Sequence, residues 1–114
     1  MIIIAGHVDV DPERREDALV AGSVHMKETR KLAGCINYVW SADPLTAGRI
    51  VILERWQTRE ALEVHFESPH YLAMRNTIAS YGICGLDVSK HEIGRTEPVY
   101  DPQGRPRADF FSDA

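Results

Sequence analysis

Hydrophobic and polar positions change period several times along the chain, and each change marks an element. Residues 2–10 are rich in β-branched types and alternate loosely. Ile2, Ile4, Gly6, Val8 and Val10 share one face; Ile3, Ala5, His7 and Asp9 share the other. Asp11-Pro12 has the form of a helix start, with a side-chain acceptor at the cap and Pro at the first helical position. Glu13, Glu16 and Asp17 suit the positive end of that helix; Lys27, Arg30 and Lys31 suit the negative end. Ala18, Leu19, Gly22, Met26, Thr29 and Ala33 form one packing stripe with Leu32 at its edge, and Gly34 stops the helix. Residues 35–42 alternate again, Cys35, Asn37, Val39 and Ser41 against Ile36, Tyr38, Trp40 and Ala42. Residues 43–48, with Pro44 and Gly48, form a turn.

Residues 49–57 are a third strand whose Ile50-Val51-Ile52-Leu53 run is apolar on both faces. Thr58 caps the next helix, with Ala61, Leu62, His65 and Phe66 along one side. Ser68-Pro69 breaks that helix and starts another, from which Tyr71, Leu72, Met74, Ile78 and Tyr81 pack downward until Gly82 and Gly85 end it. Residues 86–93 give a last alternating strand. Residues 1–94 thus form one domain, and 95–114, rich in Pro, Gly and charge, an arm that is extended or partly disordered.

The order β-α-β-β-α-β predicts an α+β fold of the ferredoxin-like split βαβ type, an antiparallel sheet with helices on one face. The strands carry apolar residues on both faces. Leaving the second face wet forgoes several kcal/mol at roughly 25 cal/mol per Å². A second copy of the same sheet is the simplest cover, so a homodimer packed sheet to sheet is expected.

Charge and composition narrow the classes. The net charge of −4 over 114 residues comes with no basic stretch, which argues against nucleic acid. No apolar run approaches the roughly 18 residues of a membrane span. Met1 to His7 lacks the form of a secretory signal, so a cytoplasmic protein is expected. Cys35 and Cys84 have no metal-ligand or redox-motif spacing and are expected to be buried thiols. His65 and His70, five apart with Pro69 between, are not the four-apart pair of a helical zinc site, so no metal is expected.

The stretch from Ile50 to Met74 carries a Glu-x-Trp strand end, a Thr helix cap, a His, a Ser-Pro break and a second His. It resembles the antibiotic biosynthesis monooxygenase family of dimeric α+β barrels, most closely members described as quinol monooxygenases. Gly34 to Tyr38 and Asp43-Pro44 also look like the family's second strand and hairpin. The resemblance covers residues 2–93 in element order and is motif-specific over 50–72. It implies oxygenation of a small aromatic by O2 without metal or flavin. The family also includes haem-degrading enzymes and an isomerase, so fold alone does not settle the chemistry. The resemblance implies that a haem degrader would place an Asn in the first strand and a His further along the second helical segment. This chain has His7 at the comparable strand position, and Met74-Arg75-Asn76-Thr77 offers no His.

A cofactor-free oxygenase must hold an aromatic in an apolar pocket and remove a proton. His suits that task because its ordinary pKa of about 6.5 lies near working pH. His65, on the inward stripe of its helix, is the expected base. Glu54 and His7 are its polar support, and Trp56 is a flat wall on the face of Ile50, Ile52 and Glu54. Ile52, His70, Tyr81 and Asn37 complete the candidate substrate contacts. Ordinary packing or hydrogen bonding is the competing role for each of these residues. The competing functions are a proton-transferring isomerase on the same dimer and a binding module without catalysis.

Overall fold

The computed structural model describes residues 1–113. Strands β1 (Ile2–Asp9), β2 (Cys35–Ala42), β3 (Arg49–Trp56) and β4 (Gly85–Glu92) form one antiparallel sheet in the order β2-β3-β1-β4. Helices α1 (Arg15–Thr29), α2 (Arg59–Glu67) and α3 (Pro69–Ala79) lie on one face. This is the ferredoxin-like α+β plan, with the two halves of the chain interleaved in the sheet.

Local chemistry accounts for the boundaries. Asp11 does cap a turn, accepting from the Glu13 amide at 3.0 Å, but Pro12–Arg14 is a 3-10 turn and α1 begins only at Arg15. The helix also ends before Gly34: the Leu32 amide reaches back to the Thr29 carbonyl at 3.0 Å, tightening the chain into a turn. Gly34 marks a close approach. Its φ is +81°, and a Cβ there would lie 2.5 Å from Ala61 Cβ. Thr58 accepts from the Ala61 amide at 3.1 Å to start α2; Ser68 accepts from the His70 amide at 3.2 Å to start α3, with Pro69 first.

The helix-facing side of the sheet holds two buried clusters. Val8, Val10, Ala18, Ile50, Ile52, Met74 and Ile78 form one; Ile4, Tyr38, Trp56 and Leu62 form the other. Gly22 lets α1 close on α3, where Met74 fills the gap. Leu72 departs from the expected stripe and is exposed. A register shift between Cys35 and Asn37 puts Cys35 opposite Trp56, on the inner face and away from Asn37. That bulge changes the parity expected for the strand's first residue. Cys35 is half-buried and Cys84 exposed, so the expected pair of buried thiols is not found.

The opposite face of the sheet carries Val51 and Leu53, each about 40% exposed. Beyond Glu92 the chain turns back on itself. Tyr100 bridges Pro106, and Arg95 pairs with Asp113 at 2.6 Å.

Candidate active site

The helices do not cover the sheet evenly. Leu86 is on the inner face of β4, opposite Val8, yet is 70% exposed. Between β4 and helices α2 and α3 lies an open cavity of about 690 Å³. Ile4, Ile52 and Trp40 floor it, Phe66 and Tyr71 wall it, and Val88 forms part of the lip. The size and apolar lining suit a small aromatic molecule.

His65 and Glu54 are buried ionisable groups of this lining. α2 runs over the end of β3, and the phase of its inward stripe brings Leu62 and His65 down together. His65 is 1% exposed and its ring is caged by aromatics. The Trp56 indole stacks on it with centroids 4.6 Å apart and planes 22° apart; Tyr38 and Tyr71 each meet it edge-on at 5.4 Å. Glu54 is also buried and accepts a hydrogen bond from Trp56 Nε1 at 3.0 Å. Its Oε1 lies 3.8 Å from His65 Nε2, close enough for charge to matter and too far for a hydrogen bond. Among the described residues, His65 Nδ1 and Trp40 Nε1 are buried without any hydrogen-bond partner. Unsatisfied polar atoms of this kind are rare in protein interiors, and here two of them belong to residues lining one cavity.

Burial shapes the titration of both groups. The Glu54 carboxyl is pushed up to about 7 by loss of water, with the indoles of Trp56 and Trp40 opposing the rise. The His65 imidazole is pushed down to about 4 for the same reason. At neutral pH His65 is therefore uncharged and Glu54 is near its midpoint. Burial, and then the charge of Glu54, raise the Tyr38 phenol well above its usual range.

The structure brings together only part of the expected set. His65, Glu54 and Ile52 line the cavity. Trp56 is fully buried behind them, a wall against His65 and not against the cavity. His7 does not join: it sits on the outer face of β1, between Val51 and Asp87, because strand alternation sends it away from the helices. Asn37 is on the same outer face, where it accepts from Arg55 Nε. His70 turns toward α1, its Nδ1 3.3 Å from that of His25. Tyr81 lies beyond the cavity under Arg14, whose guanidinium is 4.8 Å from the ring centre. Trp40, Tyr71, Phe66 and Lys90 line the cavity without having been expected as substrate contacts, and so does Arg75, which the sequence offers as a possible hydrogen-bond donor. The packing stripes of the two short helices already turn Phe66 and Tyr71 toward the sheet, and strand alternation sets Trp40 on one face with Tyr38.

Among the described residues no three His, Cys, Asp or Glu side chains gather into a metal-ligand set, and no helix is long and apolar enough to cross a membrane. The profile of the antibiotic biosynthesis monooxygenase family matches residues 1–77, which include β1 to β3, all of α2 and most of α3. The chain belongs to the antibiotic biosynthesis monooxygenase family. The fold agrees with solved structures. A Deinococcus radiodurans protein provisionally named an antibiotic biosynthesis monooxygenase superposes with a TM-score of 0.79 at 21% identity, over 89% of this chain and 100% of that one. A Mycobacterium tuberculosis protein superposes at 0.71 with 25% identity, over 85% of this chain and 97% of that one. An uncharacterized Synechocystis protein is 29% identical over 70 residues, which are 61% of this chain. The matched region spans only 48% of that relative's length. Within the antibiotic biosynthesis monooxygenase family, the chain's buried Glu54–His65 pair sits in the region that the profile covers.

Proposed function

We propose that this chain is a cofactor-independent monooxygenase that oxidises a small quinol-like aromatic with O2, working as a homodimer packed through its outer sheet faces. The observation that carries the reading is His65: a neutral imidazole in an aromatic-lined cavity, its Nδ1 unpartnered, with a buried carboxyl 3.8 Å from its other nitrogen. In this reading a ring hydroxyl gives its proton to His65 Nδ1. Ionised Glu54 stabilises the resulting imidazolium from the Nε2 side, which compensates for the low basicity that burial imposes. The substrate anion passes one electron to O2, and the two radicals join to form a carbon–oxygen bond. The peroxide takes up the proton held on His65. The oxygen–oxygen bond then breaks as the attacked carbon gives up its hydrogen as a proton, and the outer oxygen leaves with both protons as water. The product is a hydroxylated quinone. All four electrons come from the substrate, so the balance needs no other reductant.

Oxygen uptake with a panel of reduced quinones, in the presence of a chelator, tests the reading. Substrate-dependent uptake above autoxidation is expected, with one atom of labelled dioxygen in the product, and His65→Ala should abolish it. Equal rates for the parent and the variant would remove His65 from the chemistry. The same neutral His and near-midpoint Glu also favour a second reading, an isomerase that moves a proton without O2. Solvent-proton exchange into small hydroxy-ketones under anaerobic conditions would identify it.

A further inference from the structure

The cavity has a polar character that quinol chemistry leaves unused. Arg75 on α3 and Lys90 on β4 both line it from its exposed side. Among the described residues neither makes an ion pair or a side-chain hydrogen bond. The nearby acids are otherwise placed. Glu92, two residues beyond Lys90 on the same strand face, has Arg59 within 3.8 Å. Among the described residues Glu54 is the one carboxyl in the lining, and it faces Trp56 Nε1 and His65 and pairs with neither cation. Two cations without acidic partners therefore overlook an aromatic-lined hollow. The Trp40 indole forms part of its floor, with Nε1 buried beneath the lining and turned toward Glu54 and Tyr38.

Building on the function proposed above, we infer that the substrate is an aromatic acid. Arg75 and Lys90 hold its carboxylate at the cavity mouth. The arrangement separates the tasks. The apolar walls bind the ring, the cations fix which end enters first, and the hydroxyl to be deprotonated is directed to His65. Arg suits the first of these because its planar fork matches a carboxylate, while Lys supplies a point charge from the opposite lip. Both are exposed, so the selectivity they confer weakens with salt.

Calorimetry under nitrogen tests this without turnover. The ligands are hydroquinone and dihydroxy-aromatic acids whose carboxylate is on the ring or one or two methylenes from it. At low salt the best acid should bind about tenfold or more tightly than hydroquinone. That preference should shrink in R75Q/K90Q and survive in R75K, and it should decline as salt is raised. Equal binding of acids and hydroquinone, or an unchanged preference in R75Q/K90Q, overturns the inference and leaves the quinol reading standing. Binding of neither class overturns both together.

Discussion

Replacing Glu54 by Gln should make the fold lose stability relative to the parent as pH falls from 6.5 to 4.5. In the folded protein Glu54 titrates at about 7 and His65 at about 4. Between those values the pair holds one proton, wherever that proton sits. Unfolded, with ordinary values of 4.5 and 6.5, the pair also holds one proton, now on His. No net proton is taken up or released on folding, so this pair adds no slope. The E54Q substitution changes the count, because folded His65 then stays neutral while unfolded His is charged. His65 has its folded pKa depressed, so its stability is fully present above about 6.5 and is lost as pH falls toward about 4. At about 1.4 kcal/mol per pH unit of full slope, which sets in only once the unfolded His is charged, roughly 2 kcal/mol disappears between pH 6.5 and 4.5 relative to the parent. Both side chains are buried, so solvent screening removes little of this. Urea unfolding at one protein concentration, parent against variant at half-unit pH steps, cancels the titration of all other carboxyls. His65→Phe should slope the opposite way, losing stability as pH rises from about 4.5 through about 7, because Glu54's folded pKa is raised. Parallel curves for the parent and E54Q would show that His65 is not held neutral, and the site's proton chemistry would need another account.

Activity in the proposed oxidation should rise through about pH 7 as Glu54 ionises, and E54Q should flatten that limb of the kcat/KM profile. Gly34→Ala should destabilise the fold by about 2 kcal/mol or more in chemical unfolding, because φ is +81° and the new methyl meets Ala61; a neutral effect would mean that α2 shifts freely. Thr29→Val should stabilise the fold by about 1 kcal/mol, since Thr29 Oγ1 is buried without a partner. A loss of stability on thermal unfolding would instead reveal an ordered water at that hydroxyl. Leu53→Glu, on the outer face, should drive the proposed homodimer to monomer in sedimentation velocity, and an unchanged sedimentation coefficient at low concentration would eliminate the sheet-to-sheet contact.

Most of the fold was legible because its punctuation is chemical. Thr58, Ser68-Pro69 and Asp11-Pro12 mark starts that the structure uses, period-2 alternation marks three strands, and an unbroken apolar run marks β3. The end of α1 was not legible, since the residues after Thr29 remain compatible with a helix by pattern, yet their amides reach back only three residues, Lys31 to Glu28 and Leu32 to Thr29. His65 could be found because helical phase alone turns it inward. His7 and Asn37 were grouped with the site on residue type, although alternation already set His7 apart from Ile4 and Val8. The cavity itself was hidden. Which inward side chains stay uncovered depends on how far the helices reach across the sheet, and no local pattern encodes that distance.

The placement of β4 has a consequence for assembly. It is an edge strand, hydrogen-bonded only to β1 within the sheet, and the same residues that line the cavity's lip also form that border. Any chain that added itself along the free border would narrow the doorway, and any guest seated there would brace the border against fraying. Residence time of a guest and protection of the β4 amides from exchange should therefore rise and fall together, so that lateral contacts throttle traffic without touching His65.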